Sequence, residues 1–273
     1  MKSAWNNKTA LVCGASSGLG FHLAWALASQ GARVILLARD LDRLNNAKSQ
    51  IAERFPVAEL TVISSDICDE TDSRLVAQAL HKKFGQFDLV INAIGESDRG
   101  SIEQLNIERM VSLVRTNVGS GLHAIQHFAA LLKPTRGVIV LVGSLSSHFA
   151  PRFMGGYSIA KHGLAALAQQ SRLELAADGV HVMLVSPGPI ARPDAGQRYS
   201  QTPHAAGLPA EALMSGGGAK IKGLDPVKLA EEITVAAAKR RRTLIRPRKA
   251  QFLLVASSIS PMLGDYFLRK LTS

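Results

Sequence analysis

Residues 9–31, TALVCGASSGLGFHLAWALASQG, constrain this chain more than any other stretch. They open on a short apolar run, Ala10-Leu11-Val12-Cys13, in which nothing alternates, as in a strand buried on both faces. The run breaks at Gly14-Ala15-Ser16-Ser17-Gly18-Leu19-Gly20. An amphipathic helix is expected next, with Leu19, Leu23, Ala26 and Leu27 on one face and Gly31 at its close. A strand, a glycine turn and a helix N-terminus make a phosphate cradle: backbone N–H groups point outward, the helix dipole favours an anion, and glycine admits a pyrophosphate close to the backbone. A plain tight βα turn is the alternative, since the glycines follow GxxxGxG rather than GxGxxG. The position of the turn, at the first strand of a βα-repeating chain, favours the cradle.

The same unit recurs. Strands are read at 34–37, 60–63, 88–91, 138–142, 180–185 and 243–245, with helical periodicity between them. That alternation predicts an α/β fold with a parallel sheet covered on both faces. A single domain over 1–273 is expected. Residues 191–224 lack periodicity, carry Gly216-Gly217-Gly218 and several prolines, and read as a substrate lid.

Several strand ends carry chemistry. The second leads to Ala38-Arg39-Asp40. In dinucleotide folds an acid here would hold the ribose 2′-hydroxyl of NAD, whereas an arginine accommodates the 2′-phosphate of NADP. With no acid at Ala38, Arg39 favours NADP(H) over NAD(H), a solvated surface arginine being the alternative; Asp40 reads as a helix cap. Asp66, after strand three, could accept from an adenine amino group or cap a turn. Strand four ends in Asn92-Ala93-Ile94-Gly95, small residues that let a cofactor lie against backbone. A long helix follows, with Val111, Val114, Val118, Leu122 and Ile125 as its stripe and Asn117, a poor helix former, in its middle; Asn117 either bonds neighbouring backbone or has a function. Strand five ends at Gly143-Ser144. Then Tyr157-Ser158-Ile159-Ala160-Lys161 opens a helix, and its i, i+4 spacing sets Tyr157 and Lys161 on one face. A phenol is a weak acid with a pKa of about 10. A nearby ammonium stabilises phenolate and brings proton exchange toward neutral pH. Strand six runs into Ser186-Pro187-Gly188-Pro189-Ile190.

In this order and spacing the motifs resemble the short-chain dehydrogenase/reductase family over residues 9–245: CGASSGLG for TGxxxGxG, NAIG for NNAG, Asn117, Ser144, YSIAK and SPGPI. The resemblance implies a Rossmann-type, doubly wound parallel sheet of about seven strands. It implies catalysis by Asn117, Ser144, Tyr157 and Lys161. Tyr157 would be the general acid or base, Lys161 would bind the nicotinamide ribose and lower the Tyr157 pKa, Ser144 would hold the substrate oxygen, and Asn117 would keep a relay water. Gly14, Ser16, Ser17, Gly18, Leu19 and Gly20 would line the adenosine and pyrophosphate side, with Asp66 and Ile67 at adenine. Asn92, Ala93 and Gly95 would meet the adenine-ribose side, and Pro187, Gly188 and Ile190 the nicotinamide. Departures are Cys13 for a Thr, Ala93 and Ile94 for the second Asn and the Ala of NNAG, and Arg192 for a Thr that contacts the carboxamide. No metal is expected. The implied activity is NADP(H)-dependent hydride transfer to or from a small ketone, aldehyde or alcohol. The rival is a nucleotide-binding regulator or scaffold of this fold without turnover. A homodimer or homotetramer is implied, through the long helices, with Leu131, Leu132 and Leu167 on their outer faces.

Two cysteines, Cys13 and Cys68, argue against a disulfide framework and suit a reducing compartment. The first strand starts about eight residues in, so no signal peptide is expected and the protein is placed in the cytoplasm. Net charge is +11. Lys239, Arg240, Arg241, Arg242, Arg246, Arg248 and Lys249 form a basic stretch, either a solvated helix end and loop or an anion-attracting surface. No nucleic-acid motif or aromatic interleaving accompanies it, so nucleic acid is not the expected partner. Residues 252–273 form an apolar tail interrupted by Pro261. It either packs on its own subunit or a neighbour, or lies on an anionic membrane and brings lipophilic substrates to the site.

Overall fold

The structure is a computed structural model that describes residues 3–192, 207–214 and 222–271. Its elements in chain order are β1 (Thr9–Cys13), α1 (Gly18–Ser29), β2 (Arg33–Ala38), α2 (Leu41–Arg54), β3 (Leu60–Ser64), α3 (Glu70–Phe84) and β4 (Leu89–Asn92). Then come α4 (Ile107–Val114), a π turn (Arg115–Gly119), α5 (Ser120–Leu132), β5 (Val138–Val142), α6 (Tyr157–Glu174) and β6 (His181–Pro187). The chain ends with α7 (Pro226–Ala238), β7 (Thr243–Arg246), α8 (Ala250–Ile259) and α9 (Pro261–Leu271). All seven strands pair in parallel, in the order β3-β2-β1-β4-β5-β6-β7.

β1 is buried at every residue, as its lack of alternation requires. Ala10 and Val12 point to one apolar layer with α1 and α7; Leu11 and Cys13 point to the other with α5 and α6. Three helices start on aspartate caps: Asp40 accepts from the Arg43 N–H, Asp69 from Asp72, and Asp225 from Val227 and Lys228. Strand order reverses between β1 and β4, and such a switch point opens a ligand crevice at the strands' carboxyl ends.

Two expectations are corrected, and two open alternatives are narrowed. The long helix is not uniform, since a π turn interrupts it, and its buried face is not the expected stripe: Val111 and Leu122 face outward, while Leu113, Ala124 and Phe128 are buried. Leu131 and Leu132 lie in the protomer's own core and Leu167 packs against it, so none forms an outer face. The basic stretch is divided by β7. Lys239, Arg240, Arg241 and Arg242 lie at the sheet's amino-terminal edge, where Arg240 donates to the carbonyls of Arg136 and Gly179. Arg246, Arg248 and Lys249 follow at the opposite edge, Arg246 paired with Glu232. The apolar tail forms two helices, α8 and α9, whose outer side chains are exposed rather than packed on the subunit. Most of the expected lid falls outside the described residues; within them, Arg99 holds its segment by donating to Ala212 O (2.8 Å) and Met214 O (3.2 Å).

The turn after β1 depends on Gly20. A Cβ there would lie 2.0 Å from Gly14 O, so α1 could start where it does only by displacing the turn. Gly20→Ala is expected to cost roughly 2–4 kcal/mol in a denaturant melt. Gly119→Ala, whose Cβ would meet only Arg115 Cγ at 4.0 Å, is expected to change stability by less than about 1 kcal/mol. Equal effects would contradict this assignment of the close approach.

Candidate active site

The first wall is the turn from β1 into α1. Gly14 (φ +84°) donates its N–H to Leu37 O at 2.7 Å, and Ala15 donates to the same carbonyl at 3.2 Å. Gly18 has φ +55° and nothing within 4 Å of its Cβ position. Ser17 is the N-cap of α1 in an extended conformation, makes no side-chain cap bond, and the first turn carries no acid. The helix therefore presents its orphan N–H groups to an open space beside exposed Ser17 and Gly18, with Ser16 half-buried. Leu19 is in the core, so only its backbone faces that space.

The second wall is the far end of β2 and β3. Ala38 is buried, and Arg39 stands 80% exposed with Nη1 3.8 Å from Asp66 Oδ2. Asp66 Oδ1 accepts from the Cys68 N–H at 2.9 Å, so Asp66 does cap its turn. The Ile67 side chain is buried, and its carbonyl meets His123 Nδ1 at 2.8 Å. Cys13 is fully buried, and desolvation pushes its thiol pKa far above the usual range.

The floor is the end of β4. Asn92 Nδ2 donates to Ser120 Oγ (3.0 Å), and its Oδ1 accepts from the Ile94 N–H (3.2 Å). Ile94 leans on the core and on Gly14, so the two departures from NNAG are absorbed by packing. Asn117, in the π turn, is fully buried. Its Nδ2 donates to Leu113 O and Glu96 O, both at 2.9 Å, and its Oδ1 accepts from the Glu96 N–H at 3.2 Å. Both donors are thereby used, and one Oδ1 lone pair remains. The bonding reading of Asn117 therefore holds, and the bond reaches across to the turn after β4.

Lys161 lies on α6, 3% exposed, and donates from Nζ to Val142 O at 3.1 Å. Burial lowers its pKa from 10.5 to about 8. Nζ is 5.7 Å from the centroid of the half-buried Tyr157 ring, so the i, i+4 pair does share a face. A Cβ on Gly95 would stand 2.9 Å from Asn117 Oδ1 and 3.0 Å from Lys161 Nζ; both groups converge on the space that this glycine leaves. Ser144, at the end of β5, accepts at Oγ from the Ser146 N–H (3.1 Å) and donates its own N–H to Ser147 Oγ (3.2 Å), which leaves the Ser144 O–H to donate. β6 ends at buried Pro187. Gly188 donates to Arg246 O at 2.7 Å, and Ile190 bridges Leu224. Arg192 is exposed beyond it.

The structure thus places the glycine turn, Asn92, Gly95, Asn117, Ser144, Tyr157, Lys161 and the segment from Pro187 to Ile190 along one edge of the sheet. A cluster that sequence reasoning missed adjoins them. Arg109 pairs with Glu96 (2.7 Å) and with Asp98 (3.3 Å), and Arg99 is fully buried. Its signal was the charged run just after Gly95.

A family model described as short chain dehydrogenase matches residues 8–203. An uncharacterized oxidoreductase of Staphylococcus epidermidis is 32% identical over 187 residues, 68% of this chain and 79% of that protein. Among solved structures, a short-chain dehydrogenase from Streptomyces avermitilis superposes with TM-score 0.78 at 24% identity, over 96% of this chain and 97% of its own. L-sorbose reductase from Gluconobacter frateurii, complexed with NADPH and L-sorbose, gives TM-score 0.77 at 20% identity, over 90% and 97%.

A buried ammonium, here with no carboxylate partner among the described residues, costs stability, and linkage gives that cost a pH window. The folded pKa of about 8 lies below the 10.5 of the exposed group. Between these values the unfolded chain binds more protons, so the contribution of Lys161 to stability rises with pH across the window and is flat below it. Lys161→Met is expected to stabilise the ligand-free protein at pH 7 by up to about 3 kcal/mol, the advantage shrinking toward pH 10.5. Thermal melts of both proteins across that range check it; a gap that does not change with pH would contradict the buried charge.

Proposed function

The chain belongs to the short-chain dehydrogenase family and is an oxidoreductase, and on that premise we propose that it transfers hydride between NADP(H) and a small ketone, aldehyde or alcohol. The observation that carries this reading is the convergence of Lys161 Nζ and Asn117 Oδ1 on Gly95, beside Tyr157 and Ser144 and next to the open N-terminus of α1. The residues fit the dinucleotide: the uncapped helix end and the space over Gly18 suit a pyrophosphate, and Gly95 leaves room where a side chain would meet Lys161. Gly14, Ser16, Ser17 and Gly18 with the backbone of Leu19 and Gly20 would hold the pyrophosphate side, Asp66 and the Ile67 backbone adenine, Asn92, Ala93 and Gly95 the ribose, and Pro187, Gly188 and Ile190 the nicotinamide.

When bound, the cofactor supplies or accepts the hydride. Tyr157 gives the proton on its Oη to the carbonyl oxygen in reduction and takes it back in oxidation. Lys161 favours the phenolate and so lowers the cost of that transfer. The Ser144 O–H donates to the same substrate oxygen and fixes it near Tyr157. Asn117 positions the turn at Gly95 and Glu96 through its three bonds, and its remaining Oδ1 lone pair can hold a relay water. Arg39, with no acid at Ala38, supports NADP(H) over NAD(H), as does the NADPH in the L-sorbose reductase complex. The protein acts in the reducing cytoplasm as a homodimer or homotetramer. Support for assembly moves from the buried Leu131 and Leu132 to Ile107, Val111, Leu122, Ile159 and Leu173, the exposed apolar residues of α4, α5 and α6.

Tyr157→Phe is expected to lower turnover by about 10² or more while NADPH binding is kept; unchanged turnover removes Tyr157 from the mechanism. Saturable NADPH binding with no turnover on a broad panel of ketones and alcohols would favour the regulator instead. Arg39→Asp is expected to weaken NADPH by roughly 1–3 kcal/mol and to spare NADH, read by competitive titration. Light scattering at micromolar concentration is expected to give a dimer or tetramer; a monomer contradicts the assembly.

A further inference from the structure

Helices α8 and α9 carry a concentration of exposed apolar side chains. Phe252 (79% exposed), Val255 and Ile259 (77%) follow i, i+3, i+7 on α8, and Met262 (76%), Leu263, Tyr266 and Phe267 continue the surface on α9. These helices are not a loose end. The chain turns at Ser260, and a Cβ on Gly264 would lie 2.6 Å from Ser257 Oγ, so the two helices fold back on each other at closest approach. Gly264 is buried by that contact, and the apolar residues named above are left to solvent.

The hairpin is rooted at the active-site edge. Pro247 at its base abuts Gly188 of the strand-six loop, and that glycine's Cβ position also meets Leu145, next to Ser144 (3.3 and 3.4 Å). α9 meets the loop before Tyr157 in a 210 Å³ cleft between Ala150, Pro151, Arg152 and Asp265, Leu268, Arg269. Charge accompanies the apolar surface. Arg248 and Lys249 are exposed where α8 begins, and Arg269 and Lys270 where α9 ends. The basic pairs stand at the two far ends of the hairpin from its turn, and Ile259 and Met262 flank the turn itself. The only acid in the two helices is Asp265.

We propose that the α8–α9 hairpin docks the protein on an anionic lipid bilayer, and that the substrate is a lipophilic carbonyl compound or alcohol carried in that bilayer. Basic side chains at head-group level with Phe, Tyr, Met and Ile dipping below is the pattern of an interfacial helix pair. A second copy is the poorer occupant, because two hairpins packed face to face would gather eight basic side chains against two acids. Spanning is excluded by length, since helices of 10 and 11 residues reach only about half the hydrocarbon thickness. The docking stands on the hairpin alone; the substrate class rests on the hydride-transfer reading.

Flotation of the full chain with phosphatidylcholine vesicles, and with phosphatidylcholine–phosphatidylserine vesicles, separates the occupants. Expected is binding to the phosphatidylserine vesicles at least about tenfold above phosphatidylcholine, lost in high salt. Arg248→Ser with Lys249→Ser is expected to weaken binding about fivefold per charge removed, and Phe252→Ser with Ile259→Ser to abolish it. All four positions are exposed, so melting temperature and reduction of a soluble ketone are expected to stay at the wild-type level. No flotation of the wild type, or equal binding to both vesicles, overturns the docking. So does an apolar variant that turns an oligomer into a monomer without any vesicle binding, which would make a second copy the occupant. With a long-chain ketone carried in the phosphatidylserine vesicles, the apolar variant is expected to lose turnover about tenfold relative to wild type; equal turnover overturns the substrate class. Docking without turnover on either ketone would instead strike the hydride-transfer reading and leave the docking in place.

Discussion

The site is organised around a positive charge placed where none should be comfortable. Lys161 is buried beneath Tyr157, and its hydrogen bond is to a neutral carbonyl, Val142 O at 3.1 Å, with no carboxylate paired to it among the described residues. Charges buried this way lower stability. The fold accepts that cost by surrounding Nζ with groups that cannot easily move. Val142 is the last residue of β5, α6 begins at Tyr157, and the Gly95–Glu96 turn is clamped by Asn117. Strand, helix and turn are thereby fixed relative to one ammonium, the group that can make a phenol useful as an acid and base.

The same logic explains the π turn. A residue whose side-chain amide bonds the carbonyl four positions back competes with the helix ladder. In the middle of the long helix Asn117 does this to Leu113, and the helix widens there and continues. The extra residue lets the amide reach Glu96 as well, so a local flaw in helix geometry ties the helix to the end of β4. The Arg109, Glu96 and Asp98 pairs hold the other side of that turn.

What the sequence made legible was whatever one strand or one turn decides by itself. Apolar runs marked the strands, most plainly β1, β2, β4 and β5, because a parallel strand covered on both faces has no polar side to show. Gly14, Gly18 and Gly20 marked the turn because only glycine fits there. The i, i+4 spacing marked Tyr157 and Lys161. Properties set by distant packing stayed hidden. The stripe through Val111 and Leu122 has the same helical period as the buried line through Leu113, Ala124 and Phe128, and the period alone does not say which face meets the core. Leu131 and Leu132 looked like an interface because apolar residues near a helix end give no sign of which layer covers them. The strand at 243–245 was legible within the basic stretch, but only its pairing in the sheet shows that it carries Arg242 and Arg248 to opposite edges. The tail's composition was plain, but which of its apolar residues stay exposed depended on how α8 and α9 fold back at Ser260.

Hydride transfer at this edge of the sheet, with a proton moved by Tyr157, is open to direct test. The most direct measurement supplies NADPH deuterated at the transferred position together with a panel of ketones, and analyses the alcohols by mass spectrometry. Expected is an alcohol with deuterium on the carbinol carbon, formed by the wild type and lost with Tyr157→Phe. Tight NADPH binding with no deuterated alcohol from any ketone, or equal labelling by the Phe variant, would contradict it.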